Sequence, residues 1–132
     1  MLFRSQQEHF GREVWARPCR LLALQWPREQ LHARVKQRTE AMLDQGLLEE
    51  VRAIEQHGGF SQTAGAAIGY AECRDFLRRR YKDREELRNM IRRHTHRLIR
   101  RQTTWLRRLR EVRWLPPGST AEDLAAAFAA VG

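Results

Sequence analysis

Lysine is nearly missing from this strongly basic chain, in which 23 of 25 basic residues are arginine. A skew of that kind can come from a GC-rich genome, so scattered arginine has no functional weight and only its clustering counts. None of the eight glycines is followed by lysine, which excludes a G-x-x-x-x-G-K-[ST] loop for nucleotide phosphates. Only two cysteines occur, Cys19 and Cys73, too far apart for a C-x-x-C pair. A reduced setting with buried or idle thiols is expected. No apolar run reaches eighteen residues, and residues 1–8 hold no apolar signal core. Neither a membrane span nor a secretory signal is read, and a soluble, cytoplasmic protein is expected. His94 and His96 lie two apart on one helix and point different ways, with no cysteine beside them, so no metal site is expected. No Ser/His/Asp set emerges from the spacing, and most acids have an arginine near them on a helix surface. Spacing alone singles out no catalytic residue.

What is present is charge in one place. The 132 residues carry a net charge of +9, which points first to nucleic acid or an anionic surface. Between Arg84 and Arg113 stand eleven arginines against three acids, a balance of +8. Apolar residues in the same stretch recur at Leu87, Met90, Ile91, Leu98, Trp105, Leu106 and Leu109, in helical steps of three and four. Asp83, three before Glu86, predicts a helix cap with a reciprocal acid.

The other elements follow from local pattern. Residues 1–17 show no firm period and are read as irregular or weakly helical. Between Pro18 and Pro27 runs a short apolar segment, Cys19 to Trp26, too brief for a core helix, which predicts a strand buried on both faces in a parallel sheet. Pro27 suits the first turn of the next helix. Leu31, Val35, Met42 and Leu43 mark that helix, and Leu47, Leu48, Val51 and Ile54 continue it on a second face until Gly58-Gly59. Gly46 either splits or bends it. Residues 60–69 form a small-residue connector that permits close backbone approach, and Tyr70, Cys73, Leu77 and Tyr81 mark a short helix. Val112 to Leu115 reads as a second strand, stopped by Pro116-Pro117-Gly118. Ser119 and Glu122 suggest a capping box for a last alanine-rich helix. Two short strands about ninety residues apart make a marginal sheet on their own. The pattern is that of part of an α/β domain: mostly α with two short strands, one partial domain over 1–132.

Residue types alone support a helical module that contacts RNA or DNA. Arginine grips phosphate bidentately, and tryptophan or tyrosine stacks on a base. On periodicity alone Trp105 belongs to the core, and Arg93, Arg108 and Arg110 to a solvated surface.

At these residues a family resemblance enters. Arg100-Arg101-Gln102-Thr103-Thr104-Trp105-Leu106-Arg107 resembles the K/R-R-Q-x-T-W-[FL]-R signature of the tRNA dimethylallyltransferases. Ala67-Ile68-Gly69-Tyr70-Ala71-Glu72 is similar to their A-I-G-Y-x-E segment, and Met42 to Val51 to their M-L-x-x-G-L-x-E-E-V helix pair. Arg28 to Val35 and Val112 to Leu115 fall in the same order, so the likeness covers roughly residues 18–115. Three positions differ: Ile99 stands where the family usually has a small residue, and Ala66 and Ala71 where side chains are often polar or basic.

The resemblance implies the C-terminal part of a three-layer, P-loop-like α/β prenyltransferase domain. In that family the N6 amine of a flipped-out adenosine 3′ to the anticodon attacks dimethylallyl diphosphate, with Mg²⁺ present. It implies that Ala66, Ala67, Ile68, Gly69, Tyr70, Ala71, Arg97, Arg100, Arg101, Gln102, Thr103, Thr104, Trp105, Leu106 and Arg107 face the tRNA anticodon arm. Arg34 and Arg38, with Arg28, are weaker candidates for diphosphate, and a structural role is preferred for them. The glycine loop and general-base Asp of the family precede the matched segment. The chain is therefore expected to be the tRNA-facing half, a monomer binding no Mg²⁺ itself and inactive without the other half in cis or in trans. A stand-alone basic helical RNA-binding protein and a truncated product without activity remain open alternatives.

Overall fold

The structure, a computed structural model, describes residues 20–130. The irregular or weakly helical reading of residues 1–17, and Cys19, lie outside the described residues. The described chain runs β1 (Leu21–Leu24), α1 (Arg28–Asp44), α2 (Leu47–Gln56), α3 (Gln62–Gly65), α4 (Tyr70–Leu77), α5 (Arg84–Arg107), β2 (Val112–Leu115) and α6 (Ala121–Ala129). It is mostly helical with two strands. Two compact units result: Pro27–Gln102, and Met1–Trp26 with Thr103–Gly132.

In the first unit Pro27 sits just before α1, and its carbonyl accepts from Leu31 N at 3.0 Å. Proline loses nothing there, because the first helical N–H groups have no partner inside the helix. Gly46 settles what the sequence left open. At φ +97° it takes a left-handed backbone conformation and splits α1 from α2. Leu48, Val51, Cys73, Leu87 and Ile91 form the buried cluster, with Met42, Leu43, Phe60, Ile68 and Leu77 packed against it. α5 is capped much as expected: Asp83 Oδ1 accepts from Glu86 N at 2.8 Å. The reciprocal acid reaches one residue further back, Glu86 Oε2 accepting from Lys82 N at 2.6 Å.

In the second unit β1 and β2 pair in parallel, with Leu21 opposite Val112 and Leu24 opposite Leu115. Gln25 N extends the ladder to Leu115 O at 2.8 Å. β1 is not buried on both faces as expected: Leu21, Leu22 and Ala23 are half-buried, and Leu24 is 43% exposed. Among the described residues each strand has one neighbour, which leaves its other edge unpaired there. Arg113 Nη1 donates to Ala127 O at 3.2 Å, and Arg20 lies 5.0 Å over the Phe128 ring. The α6 cap is shifted by one residue from the expected pair. Thr120, in extended conformation, accepts from Asp123 N at 3.2 Å, and Asp123 Oδ2 accepts from Thr120 N at 2.8 Å. Ser119 is engaged elsewhere, donating to Pro116 O at 2.8 Å.

Leu87 is fully buried, so Leu87→Ala should destabilise by about 2–5 kcal/mol. At Gly46 an added Cβ would meet only Glu49 Oε2, at 3.8 Å. The cost of Gly46→Ala is therefore conformational, about 1–2 kcal/mol. Urea unfolding measures both, and an unaltered Gly46→Ala midpoint would refute a left-handed break between α1 and α2.

Candidate nucleic-acid interface

α5 changes electrostatic character along its length. Its first three arginines have carboxylates: Arg84 with Glu49 at 3.5 Å, Arg88 with Glu85 at 3.5 Å and Arg92 with Glu40 at 2.5 Å. Beyond them Arg93, Arg97, Arg100, Arg101 and Arg107 are all exposed, and none has a carboxylate partner among the described residues. Within the first unit Arg100 and Arg101 follow Arg97 by three and four positions, and Arg97 follows Arg93 by four, so these arginines share one face. Leu87, Ile91, Thr95 and Leu98 take the other, buried or half-buried. The result is a ribbon of guanidinium groups with their donors uncommitted to acids.

The helix ends at Arg107, six residues before the end of the basic stretch, because the chain tightens into i→i+3 bonds: Arg108 N to Trp105 O and Leu109 N to Leu106 O, both 3.1 Å. Trp105 corrects the periodicity reading. It is 49% exposed rather than in the core, because the apolar stripe runs past the buried cluster, whose last α5 member is Ile91. Thr103 and Leu106 are half-buried and Thr104 is exposed. Residues 103–107 belong to the second unit.

The connector before α4 is built for close approach. Ala66 and Ala67 are exposed, Ile68 and Ala71 are half-buried, and Gly69 turns at φ +100°. Gly65 is buried, and a Cβ there would run into the Arg74 guanidinium and lie 3.1 Å from Phe60 Cβ. Arg74 occupies that space, donating to Gly65 O at 3.3 Å and Glu55 Oε1 at 2.5 Å. Tyr70 packs 5.0 Å from the Phe60 ring, and its hydroxyl donates to Glu50 Oε1 at 2.6 Å. That bond, with the Glu50 charge, raises the phenol above its ordinary value.

Glu72, which received no role from the sequence, ties the turn to α5. It is 3% exposed; Oε2 accepts from Gly69 N at 2.6 Å, and Oε1 pairs with His94 Nδ1. An acid three residues after a turn glycine is a capping signal that could have marked it. Beside it the Cys73 thiol is fully buried and is pushed up to about 12, first by burial and then by Glu72, Glu49 and Glu50. It is an inert packing group.

Within the first unit a groove of about 640 Å³ is lined by Arg34 and Arg38 from α1, Ile68 from the connector, and Leu98, Ile99 and Gln102 from α5. Three elements singled out separately in the sequence thus meet at one surface. Ile99, the departure from the family's small residue, contributes to its wall. Among the described residues no three His, Cys, Asp or Glu side chains come together to hold a metal. No described helix is long and apolar enough to cross a membrane.

A helical unit carrying a guanidinium ribbon, together with a two-stranded parallel sheet, forms the C-terminal part of the prenyltransferase fold. The chain belongs to the IPP transferase family, which it matches over residues 2–109. It is 44% identical over 105 residues to the tRNA dimethylallyltransferase of Anaeromyxobacter dehalogenans, covering 80% of this chain and 35% of that protein. With the Halothermothrix orenii tRNA dimethylallyltransferase it shares 39% identity over 88 residues, 66% of this chain and 26% of the relative. It is also similar to the solved tRNA isopentenylpyrophosphate transferase of Bacillus halodurans, with a TM-score of 0.71 and 25% identity over 83% of this chain and 36% of that one. The chain thus spans about a quarter to a third of the length of these relatives.

Removing the Glu72 carboxylate strands the Gly69 N–H and the His94 ring. Glu72→Ala should therefore destabilise by about 1–3 kcal/mol, with Glu72→Gln intermediate because it keeps an acceptor for Gly69. Thermal unfolding of both variants checks this; a neutral Glu72→Ala would remove Glu72 as the link between turn and helix.

Proposed function

We propose that this chain is the tRNA-facing part of a tRNA dimethylallyltransferase. The complete enzyme transfers a dimethylallyl group from dimethylallyl diphosphate to N6 of the adenosine 3′ to the anticodon. In that reaction the N6 lone pair forms a bond to the allylic carbon as the carbon–oxygen bond breaks and diphosphate leaves. The N6 proton passes to a carboxylate in the remainder of the enzyme, joined in cis or supplied in trans. Mg²⁺ would be held by that remainder too. We take the protein to be a cytoplasmic monomer.

One observation carries the reading. Five arginines from Arg93 to Arg107 stand exposed on α5 without carboxylate partners. Exposed guanidinium groups gain little from surface acids but bind phosphate in bidentate fashion. Arg97, Arg100, Arg101 and Arg107 would hold anticodon-arm phosphates, and the exposed Trp105 would stack on a base. Ala66, Ala67, Ile68, Gly69, Tyr70 and Ala71 would offer the backbone for close approach, and Gln102, Thr103, Thr104 and Leu106 would contact the tRNA from α5. Arg34 and Arg38, at the groove, would face the diphosphate or serve packing.

Arg100→Ala/Arg101→Ala should weaken binding of an anticodon stem-loop by roughly tenfold or more and flatten the salt slope by about two phosphate contacts. Unchanged affinity and slope would show that α5 does not face tRNA. The chain by itself, given tRNA, Mg²⁺ and labelled dimethylallyl diphosphate, should transfer nothing. Robust turnover would mean that the reacting groups lie within these residues after all.

A further inference from the structure

His96 on α5 and His32 on α1 meet ring to ring, with centroids 4.2 Å apart and planes inclined by 57°. Each helix adds an arginine one turn away, Arg28 before His32 and Arg100 after His96. Arg28, His32 and Arg100 are exposed, and neither arginine has a carboxylate partner among the described residues. His96 Nδ1 is buried without a hydrogen-bond partner. The charged groups acting on its ring are all cationic: His32 and Arg28 from α1, and Arg100 from its own helix. Glu29 follows Arg28 in the chain, and Arg92, a turn before His96, is taken up by Glu40. α1 also begins at Arg28, so its unpaired first N–H groups and positive dipole end lie at the same place.

Four cation-capable groups with no carboxylate partner among the described residues repel one another when charged, and an anion is what relieves the repulsion. We propose that Arg28, His32, His96 and Arg100 form a phosphodiester-binding site, and that His96 takes up a proton as the phosphate docks. The inference deepens the tRNA reading and rests on it. A nucleic-acid phosphate suits the site better than a free diphosphate, because Arg100 also belongs to the exposed ribbon that a sugar–phosphate backbone would follow.

The sign follows from the environment. Burial first, then His32, Arg100 and Arg28, hold His96 below the ordinary histidine value of 6.5 in the free chain. Without a ligand, acidification through 6.5 therefore protonates the unfolded chain more readily and lowers stability. A docked phosphate reverses the bias, so RNA affinity rises as pH falls toward and below that value.

The test is anisotropy of an anticodon stem-loop at constant salt, from about pH 8 to about 5.5, across the histidine range. The 132-residue chain and His57→Gln, whose histidine is exposed at the end of α2 outside the cluster, should each bind about threefold to tenfold tighter at the acid end, up to one proton's worth. His96→Gln and His32→Gln should lose most of that response, and Arg28→Gln should lower the salt slope by about one. Thermal unfolding shows that each variant remains folded. The same pH response in both histidine variants overturns the site. Tight but pH-flat binding by the parent chain also overturns it and leaves the tRNA reading standing. Absence of RNA binding at every pH defeats that reading and this inference together. If inorganic diphosphate alone draws the His96-dependent proton uptake and RNA does not, the ligand is wrong.

Discussion

Two side chains, Leu87 and Ile91, fix how α5 is presented. Both are fully buried against Leu48, Val51 and Cys73, and together they set the rotation of a 24-residue helix. Once that rotation is set, the 3.6-residue repeat places every later side chain. Arg93, Arg97, Arg100 and Arg101 must then face outward, because the opposite stripe of Thr95 and Leu98 is turned toward the unit's interior. The guanidinium ribbon is a consequence of apolar packing one to two turns upstream.

Charge is distributed along α5 by function of position. Near its start, Glu49, Glu85 and Glu40 neutralise Arg84, Arg88 and Arg92. Such pairs add little stability where exposed, but they remove the repulsion that three bare arginines would bring to the packed end of the helix. Further along no acid plays that part among the described residues. Glu72 works on a different principle. Buried at 3% exposure and bonded on both oxygens, it satisfies the turn at Gly69 and the ring of His94 together. It thereby couples the small-residue connector to the arginine helix. A buried carboxylate without partners would be costly, so both contacts support its placement between turn and helix.

Legibility in the sequence tracked the range of the interactions. The Asp83 cap was readable because its partner lies three residues away. The α6 cap was readable only to within one residue: Ser119–Glu122 and Thr120–Asp123 have the same spacing, and the Pro116 turn that draws Ser119 away decides between them. Gly46 could bend or break a helix, and only its backbone angle tells which. Trp105 was misassigned to the core because periodicity gives a face, not the point at which the neighbours on that face run out. The motif residues were recognisable as strings, but their meeting at a groove with Arg34 and Arg38 was not. His32 and His96 stand 64 positions apart with no shared pattern, so no local signal could have joined them.

The second unit completes the argument from cost. Among the described residues two parallel four-residue strands give one ladder, and parallel sheets are otherwise found with both faces covered. Here Leu24 is 43% and Phe128 50% exposed. Apolar groups at a sheet edge and on the helix beside it are the surface against which further strands and helices pack in a three-layer domain. The first unit, by contrast, has a closed core of its own. The helical unit buries an apolar cluster of its own, whereas the described part of the sheet unit leaves Leu24 and Phe128 about half exposed.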